Sequence, residues 1–407
     1  MTRAARPVLL VLASTYPRWK HDHEPGFVHE LAKRLTDHFR VLALVPHSPG
    51  SPMRETLDGV EVVRYRYAPE RFEVLVNDGG IVTNLHRSKW KLLLVPTFVL
   101  SQAWQAWRLI RAENVDLIHA HWLLPQGLIA AMLHILPGRS VPFVVTSHGA
   151  DLYALRGAML DKLKRFVLRR ASAATVVSGA MRERMRSMDV DVANVSVQPM
   201  GVDMEEQFTL GMHGERSQRE ILFVGRLVEK KGLRYLLRAM PHVLQQLPDA
   251  TLTIAGFGPD EVELKAGAQA LGIAESVHFL GAVPQSDLPE LYRRAALFVA
   301  PFVRAASGDE EGLGLVLVEA IGCGCPVVVG DVQAMDELMG SEFRDLRINP
   351  RDTVQLASRI VEVLSNPDSA RGRLEALREK IVARFDWREV TSRYRGLLTG
   401  VSCEVRK

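Results

Sequence analysis

A chain of 407 residues exceeds what one ordinary hydrophobic core supports, so two domains of about 200 residues are expected. With 47% apolar and 24% charged residues the sequence reads as soluble and globular, which excludes a disordered chain, and three cysteines exclude a disulfide framework. Residues 1–206 hold 26 Lys and Arg against 20 Asp and Glu and the remainder 25 against 27, a modest basic excess that suits an anionic partner such as lipid phosphate at a cytoplasmic membrane face, and equally fits ordinary surface variation.

The first apolar run, "VLLVLAS" (8–14), reads as a buried strand. It is too short for a secretory signal and has no cleavage site after it, so a cytoplasmic protein is expected. A long loop follows, "STYPRWKHDHEPGF", leading into a helix that begins near Pro25 and Gly26 with Phe27, Val28, Leu31 and Leu35 on one face. His21, Asp22, His23 and Glu24 carry ligand-type side chains, but a solvated polar loop is the ordinary reading and no metal is expected. After a strand at 41–46 comes "KLLLVPTFVL" (91–100), far short of the ~20 apolar residues a membrane span requires and interrupted by Pro96. It is expected to pack in the core or at an interface.

Strands at 116–121, 142–148 and 173–178 complete the first half, and strands at 219–225, 250–256, 277–281, 297–301 and 326–330 form the second. Alternation with amphipathic stretches is the βαβ pattern, so the fold class is α/β with two doubly wound, Rossmann-like domains. The aperiodic segment 200–218 reads as the linker, giving domains at 1–204 and 205–382. The segment 383–398 has helical spacing, with Phe385, Val390, Tyr394 and Leu397 broadly on one side, and residues 383–407 either cover the second domain or cross back to the first. Open α/β sheets bind ligands at the carboxyl ends of their strands, and two such domains facing each other make a cleft.

Residues 310–320, "EEGLGLVLVEA", place Glu311 and Glu319 around Gly312 and Gly314. An apolar helix starting at these glycines offers free N–H groups and a positive dipole end to a phosphate. Counted as helix, Glu311 and Glu319 lie about 12 Å apart at 1.5 Å per residue, too far for a glycosidase pair at ~5 to 9.5 Å and suited to the two ends of one long ligand such as a nucleotide sugar. "GRLVEKKG" (225–232) follows a strand and supplies Arg226, with Lys230 or Lys231, for a diphosphate; alone it also fits a solvated basic turn. "TSHGADLY" (146–153) sets His148, Gly149 and Asp151 at a strand end, and "HAHWLLPQG" (119–127) sets His119, His121 and Trp122 there, to line an acceptor site or merely to pack. "DVD" (189–191) is too short to identify a metal site, "GFGPD" (256–260) lacks the third glycine of a dinucleotide fingerprint, and Cys323 and Cys325 read as small packing residues.

With "HGAD", "GRLVEKKG" and "EEGLGLVLVEA" in this order across two α/β halves, the chain resembles the retaining GT-B glycosyltransferases of glycosyltransferase family 4, and "DLIHAHWLLPQG" and "YPRWKHDHEPGFVHEL" look most like members that build bacterial polysaccharides. The resemblance implies a nucleotide-sugar donor, UDP- or GDP-linked, held by the second domain, and a glycan or lipid-linked acceptor held by the first. It implies no nucleic-acid partner, no cofactor and no essential metal. By motif, His148 and Glu311 are the catalytic residues. Gly26, Arg226, Lys231, Glu311, Gly312, Leu313, Gly314 and Glu319 hold the donor, and Gly149, Asp151, His121 and Trp122 are candidate sugar contacts. The sequence departs from the family pattern in two places: only Gly26 follows Pro25 where many members have paired glycines, and "DVQAMDEL" after 330 leaves only Glu337 of a glycine-rich stretch. Rival readings are a GT-B epimerase, against which the spaced glutamates argue, and a non-catalytic nucleotide-sugar binder.

Overall fold

The computed structural model describes residues 6–20, 22, 26–77, 80–136, 140–211 and 216–404. Its contacts divide the chain into two compact units, residues 1–200 with 390–407, and residues 201–389.

In the first unit β1 (Val8–Leu12), β2 (Arg40–Pro46), β3 (Arg54–Leu57), β4 (Val60–Tyr65), β5 (Leu117–His121), β6 (Phe143–Ser147), β7 (Ala173–Val176) and β8 (Val195–Val197) form one sheet in the order β3-β4-β2-β1-β5-β6-β7-β8. Every neighbouring pair is parallel except the β3–β4 hairpin. The order reverses at β1, where Leu10 pairs with Leu42 on one side and Ile118 on the other. Strands such as "LIHAH" are buried along their whole length, which a sheet covered by helices on both faces demands.

The second unit holds β9 (Glu220–Val224), β10 (Thr251–Ala255), β11 (Val277–Gly281), β12 (Leu297–Ala300), β13 (Val327–Gly330) and β14 (Arg347–Ile348), all parallel, in the order β11-β10-β9-β12-β13-β14. The reversal falls at β9. Its core is built from Ile221, Leu236, Met240, Leu252, Ile254 and Val299, each fully buried. Cys323 and Cys325 are fully buried too, and burial pushes both thiols up to about 12, as packing residues require.

All ten strands read from the sequence are present, and β3, β4, β8 and β14 are additional. Three expectations need correction. The segment from Gly201 is no free linker: Val202 bridges Asp386, and Met204 and Phe208 are buried, so the units part at Met200 rather than 204. The helix expected at 383–398 is broken at Asp386, between Pro367–Phe385 and Trp387–Glu404, and Leu398 rather than Leu397 is buried with Val390 and Tyr394. Residues 91–100 split between a 3-10 segment, Lys89–Leu93, and the helix Leu94–Ala112, with Phe98 buried but Leu92, Leu93 and Leu100 exposed. Among the described residues no helix is long and apolar enough to cross a membrane.

Candidate functional site

In the second unit β9 ends at Val224, and the chain turns through Gly225 and the half-buried Arg226 into the 3-10 turn Glu229–Lys231 and the helix Leu233–Gln246. Gly232 joins turn to helix with φ +71°, and a Cβ there would lie 1.7 Å from the Pro301 carbonyl oxygen, so no larger residue fits. The basic turn is tied to the loop after β12. The Val303 N–H donates to the Lys230 carbonyl at 2.9 Å, the Lys230 ammonium lies 3.1 Å from Asp309, and the Ala306 N–H donates to the Glu229 carboxylate at 3.1 Å. Lys231 Nζ donates to Glu311 Oε2 at 2.7 Å and sits 4.8 Å from the Phe302 ring centroid.

Glu311 turns its other oxygen back on its own loop, where Oε1 accepts the Gly314 N–H at 3.1 Å. Burial pushes its carboxyl up, but Lys231 and Lys230 outweigh that and hold it at about 2. Gly314 is left-handed (φ +79°), with Phe302 3.1 Å from the position of a Cβ, and the helix begins only after it, at Leu315–Gly322. The helix from Glu311 on which the expected separation of about 12 Å was counted therefore does not form: the carboxylate and the left-handed glycine keep residues 311–314 out of it. Glu319 lies inside that helix, buried, with Oε1 accepting from Gln285 Nε2 at 2.8 Å and Oε2 from the Tyr292 hydroxyl at 3.0 Å. Burial raises its carboxyl above the usual carboxylate range.

In the first unit three imidazoles meet at the carboxyl ends of β5 and β6. His121 Nδ1 and His148 Nε2 are 2.9 Å apart, with the rings 10° from parallel. His119 lies against His121 at 4.2 Å between centroids and bonds Thr146 Oγ1 through Nε2 at 2.8 Å. From there a buried hydroxyl chain runs to Thr175 (2.6 Å), to Tyr394 (3.4 Å) and to the Gln198 carbonyl (3.1 Å). Burial pushes His119 and His148 down to about 3 and His121 well below its ordinary value, so all three rings are neutral at pH 7. Phe27 and Trp122 flank His148 at 4.8 and 5.1 Å.

Trp122 has the strained φ of +75°, held by its N–H to the Thr146 carbonyl at 2.7 Å. Asp151, expected at a sugar, is buried and uses both oxygens internally, accepting the Leu123 N–H at 2.6 Å and the Ser147 hydroxyl at 2.9 Å. Its work is to join the two loops that carry Trp122 and His148. Gly149 starts the short helix Ala150–Tyr153 with φ +107°. Beneath it the buried Lys164 ammonium donates to the carbonyls of Leu155 and Leu152.

Gly26 precedes the helix Phe27–Arg34 with φ −85°, which any residue adopts, and the atom nearest a Cβ would be 3.9 Å away. Of the loop's ligand-type residues, His21, His23 and Glu24 lie outside the described residues, while Asp22 is paired with Arg18 at 2.6 Å. Among the described residues no three His, Cys, Asp or Glu side chains are grouped to share a metal ion. Glu337 is paired with Arg384. Sequence reasoning passed over Phe27 as a site residue, and over Gln285, Tyr292, Thr146, Thr175 and Lys164. Tyr394 stood out only as part of an apolar face.

Residues 27–206 match the family model described as Glycosyltransferase Family 4, and residues 213–380 match Glycosyl transferases group 1. The phosphatidyl-myo-inositol mannosyltransferase of Mycobacterium tuberculosis is 30% identical over 287 residues, 69% of this chain and 72% of that protein. The chain belongs to glycosyltransferase family 4. It is also similar to the GDP-mannose-dependent alpha-(1-6)-phosphatidylinositol monomannoside mannosyltransferase of Mycolicibacterium smegmatis, 28% identical over 336 residues, 77% of this chain and 85% of that protein. The GT-B fold of the family 4 chain is seen in sucrose-phosphate synthase from Thermosynechococcus elongatus, with TM-score 0.77, 20% identity and coverage of 97% and 100% of the two chains. Anabaena HepE in complex with UDP-glucose matches with TM-score 0.71, 17% identity and coverage of 96% and 99%. At these identities the likeness shows the fold. Family 4 membership makes the protein a glycosyltransferase.

Proposed function

We propose that this glycosyltransferase moves a sugar, with retention of anomeric configuration, from a UDP- or GDP-linked donor to a glycan or lipid-linked acceptor in polysaccharide or glycoconjugate synthesis. The observation that carries the donor side is the Lys231–Glu311 pair at 2.7 Å, set on a basic turn directly after the strand where the sheet order reverses. Such switch points are where open α/β sheets take their ligands. Arg226 and the remaining donors of Lys230 and Lys231 hold the diphosphate, doing the work that a metal does elsewhere. Glu311 and the backbone of Gly312, Leu313 and Gly314 face the sugar, and Glu319 takes the ribose hydroxyls on the lone pairs that Gln285 and Tyr292 leave. The neutral His148 acts beside the transferred sugar.

The anomeric C–O bond to the diphosphate breaks as the acceptor oxygen bonds to the same face of the carbon. The departing phosphate oxygen takes the acceptor's proton, so catalysis is positioning and charge stabilisation. Curated relatives named for GDP-mannose support a GDP-sugar as the first donor to try. The anionic lipids named in those relatives support contact with a membrane face. The test is incubation with a panel of UDP-, GDP- and ADP-sugars, with proton NMR of the product's anomeric signal. Transfer or donor hydrolysis with inverted configuration overturns the retaining mechanism. Donor binding without turnover on any acceptor leaves a non-catalytic binder.

A further inference from the structure

The first unit exposes an apolar stripe that no part of the described chain covers. On the helix Leu94–Ala112 the buried face is Phe98, Gln102, Ala106, Leu109 and Ile110. The opposite side, at steps of three and four residues, presents Leu100, Trp104, Arg108 and Arg111, and Leu93 continues it from the preceding 3-10 segment. Leu93 is 77% exposed, Leu100 67% and Trp104 59%, values that buried packing does not produce. Trp104 stacks on Trp107 at 5.0 Å, and the Arg111 guanidinium lies over Trp107 at 4.5 Å. Beside the helix, Trp90 is exposed and makes an edge contact with the exposed Phe72.

Charge singles out the occupant. Residues 79–112 contain no Asp or Glu, yet hold Trp90, Trp104 and Trp107, half of the chain's six tryptophans, together with the exposed cations Arg87, Lys89, Arg108 and Arg111. Aromatic and leucine side chains ringed by Lys and Arg suit the headgroup layer of an anionic bilayer, where the rings sit at the acyl boundary and the cations reach lipid phosphate. From Leu93 to Arg111 the stripe runs about 27 Å at 1.5 Å per residue, long enough to lie flat on that layer.

We infer that this stripe is a peripheral docking surface for an anionic lipid bilayer. Its inner face also fixes where docking takes the enzyme: Gln102 Nε2 donates to the carbonyls of Ala13 and Leu44, both at 3.3 Å, and Phe98 packs on Tyr65 and Tyr67. The helix is thus anchored over the carboxyl ends of β1, β2 and β4, the edge expected to receive acceptors. Docking brings that edge to the lipid, which rests on the proposed lipid-linked acceptor; binding of the stripe itself does not.

The test is sedimentation of the full chain with vesicles of equal parts phosphatidylglycerol and phosphatidylcholine, against phosphatidylcholine alone, with no donor present. The protein is expected to sediment with the anionic vesicles at low salt and to be released at 0.5 M NaCl, with a blue shift of tryptophan emission. Leu93→Glu with Leu100→Glu, and separately Arg108→Glu with Arg111→Glu, lower the partition coefficient at least tenfold while circular dichroism and donor binding stay unchanged. Failure to bind anionic vesicles, or undiminished binding by both double variants, overturns the inference. So does self-association that the same variants abolish in the absence of vesicle binding, which makes the stripe an interface between copies of the chain. Vesicle binding by a protein that transfers no sugar leaves the docking surface standing and removes the function.

Discussion

His121 Nδ1 and His148 Nε2 lie 2.9 Å apart, at hydrogen-bond distance, between rings lying nearly parallel. Because both imidazoles are neutral, one must donate and the other accept, so the tautomer of each fixes that of its partner. His121→Phe keeps an aromatic ring of similar size and removes the bond. It is expected to lower turnover at least fivefold with little change in donor affinity, and to alter the ring 15N shifts of His148. Unchanged shifts would show that His121 only packs.

The neutral histidines also set a pH dependence. An unfolded histidine protonates near pH 6.5, whereas His119 and His148 take a proton only near 3. Between those values the unfolded chain binds more protons than the folded one. Stability is therefore full above about pH 6.5 and declines as pH falls toward 3, by at most about 1.4 kcal/mol per pH unit for each histidine. Urea midpoints measured from pH 7.5 to 4.5 check this, and a flat profile contradicts it. Turnover should show no ionisation near 6.5 belonging to His148.

Lys231→Met leaves Glu311 largely buried with Lys230 as its main remaining cation. A cost of roughly 1 to 3 kcal/mol is expected, between the values for exposed and fully buried pairs, together with weaker donor binding. Adding Glu311→Gln should restore most of the stability and none of the affinity. Thermal melts paired with calorimetric titration of UDP and GDP separate the two effects.

Glu319→Gln retains the size of the side chain and removes its charge. If the carboxylate receives ribose hydroxyls, losing charged hydrogen bonds worth about 1.5 to 3 kcal/mol should weaken nucleotide binding roughly 10- to 100-fold. Tyr292→Phe, which removes the bond to Oε2, should have a smaller effect in the same direction. An unchanged nucleotide dissociation constant in Glu319→Gln would remove the ribose assignment.

Gly232→Ala combines a left-handed backbone with a Cβ placed 1.7 Å from a carbonyl oxygen. A loss of more than about 2 kcal/mol is expected, since the left-handed conformation alone costs ~1–2. Gly26→Ala, with φ −85° and open space, should melt within a degree or two of the parent protein. Whatever it does to donor binding then reports on the site.

The sequence made ten strands and the order of the motifs legible, because strands covered on both faces are near-continuous apolar runs. β3 and β4 were hidden by their polar alternation, yet Asp58-Gly59, with φ +48° and +83°, is the turn pair that favours a two-residue hairpin. Glu311, Lys231 and His148 were singled out by residue type after a strand. Gln285 and Tyr292 were not, since they reach Glu319 from a loop and a helix with no local pattern to mark them. The helix start was misplaced because spacing alone cannot show that the Glu311 carboxylate folds back onto the Gly314 N–H.

The polar chain that begins at His119 passes through Tyr394, in the helix Trp387–Glu404, to reach the Gln198 carbonyl. On the ribosome, β5, β6 and β7 emerge long before that tyrosine, with residues 201–389 made in between. Thr175 lacks its tyrosine partner for all that time, so the first unit to be synthesised is the last to be completed. The order in which this enzyme matures therefore differs from the order in which it is translated.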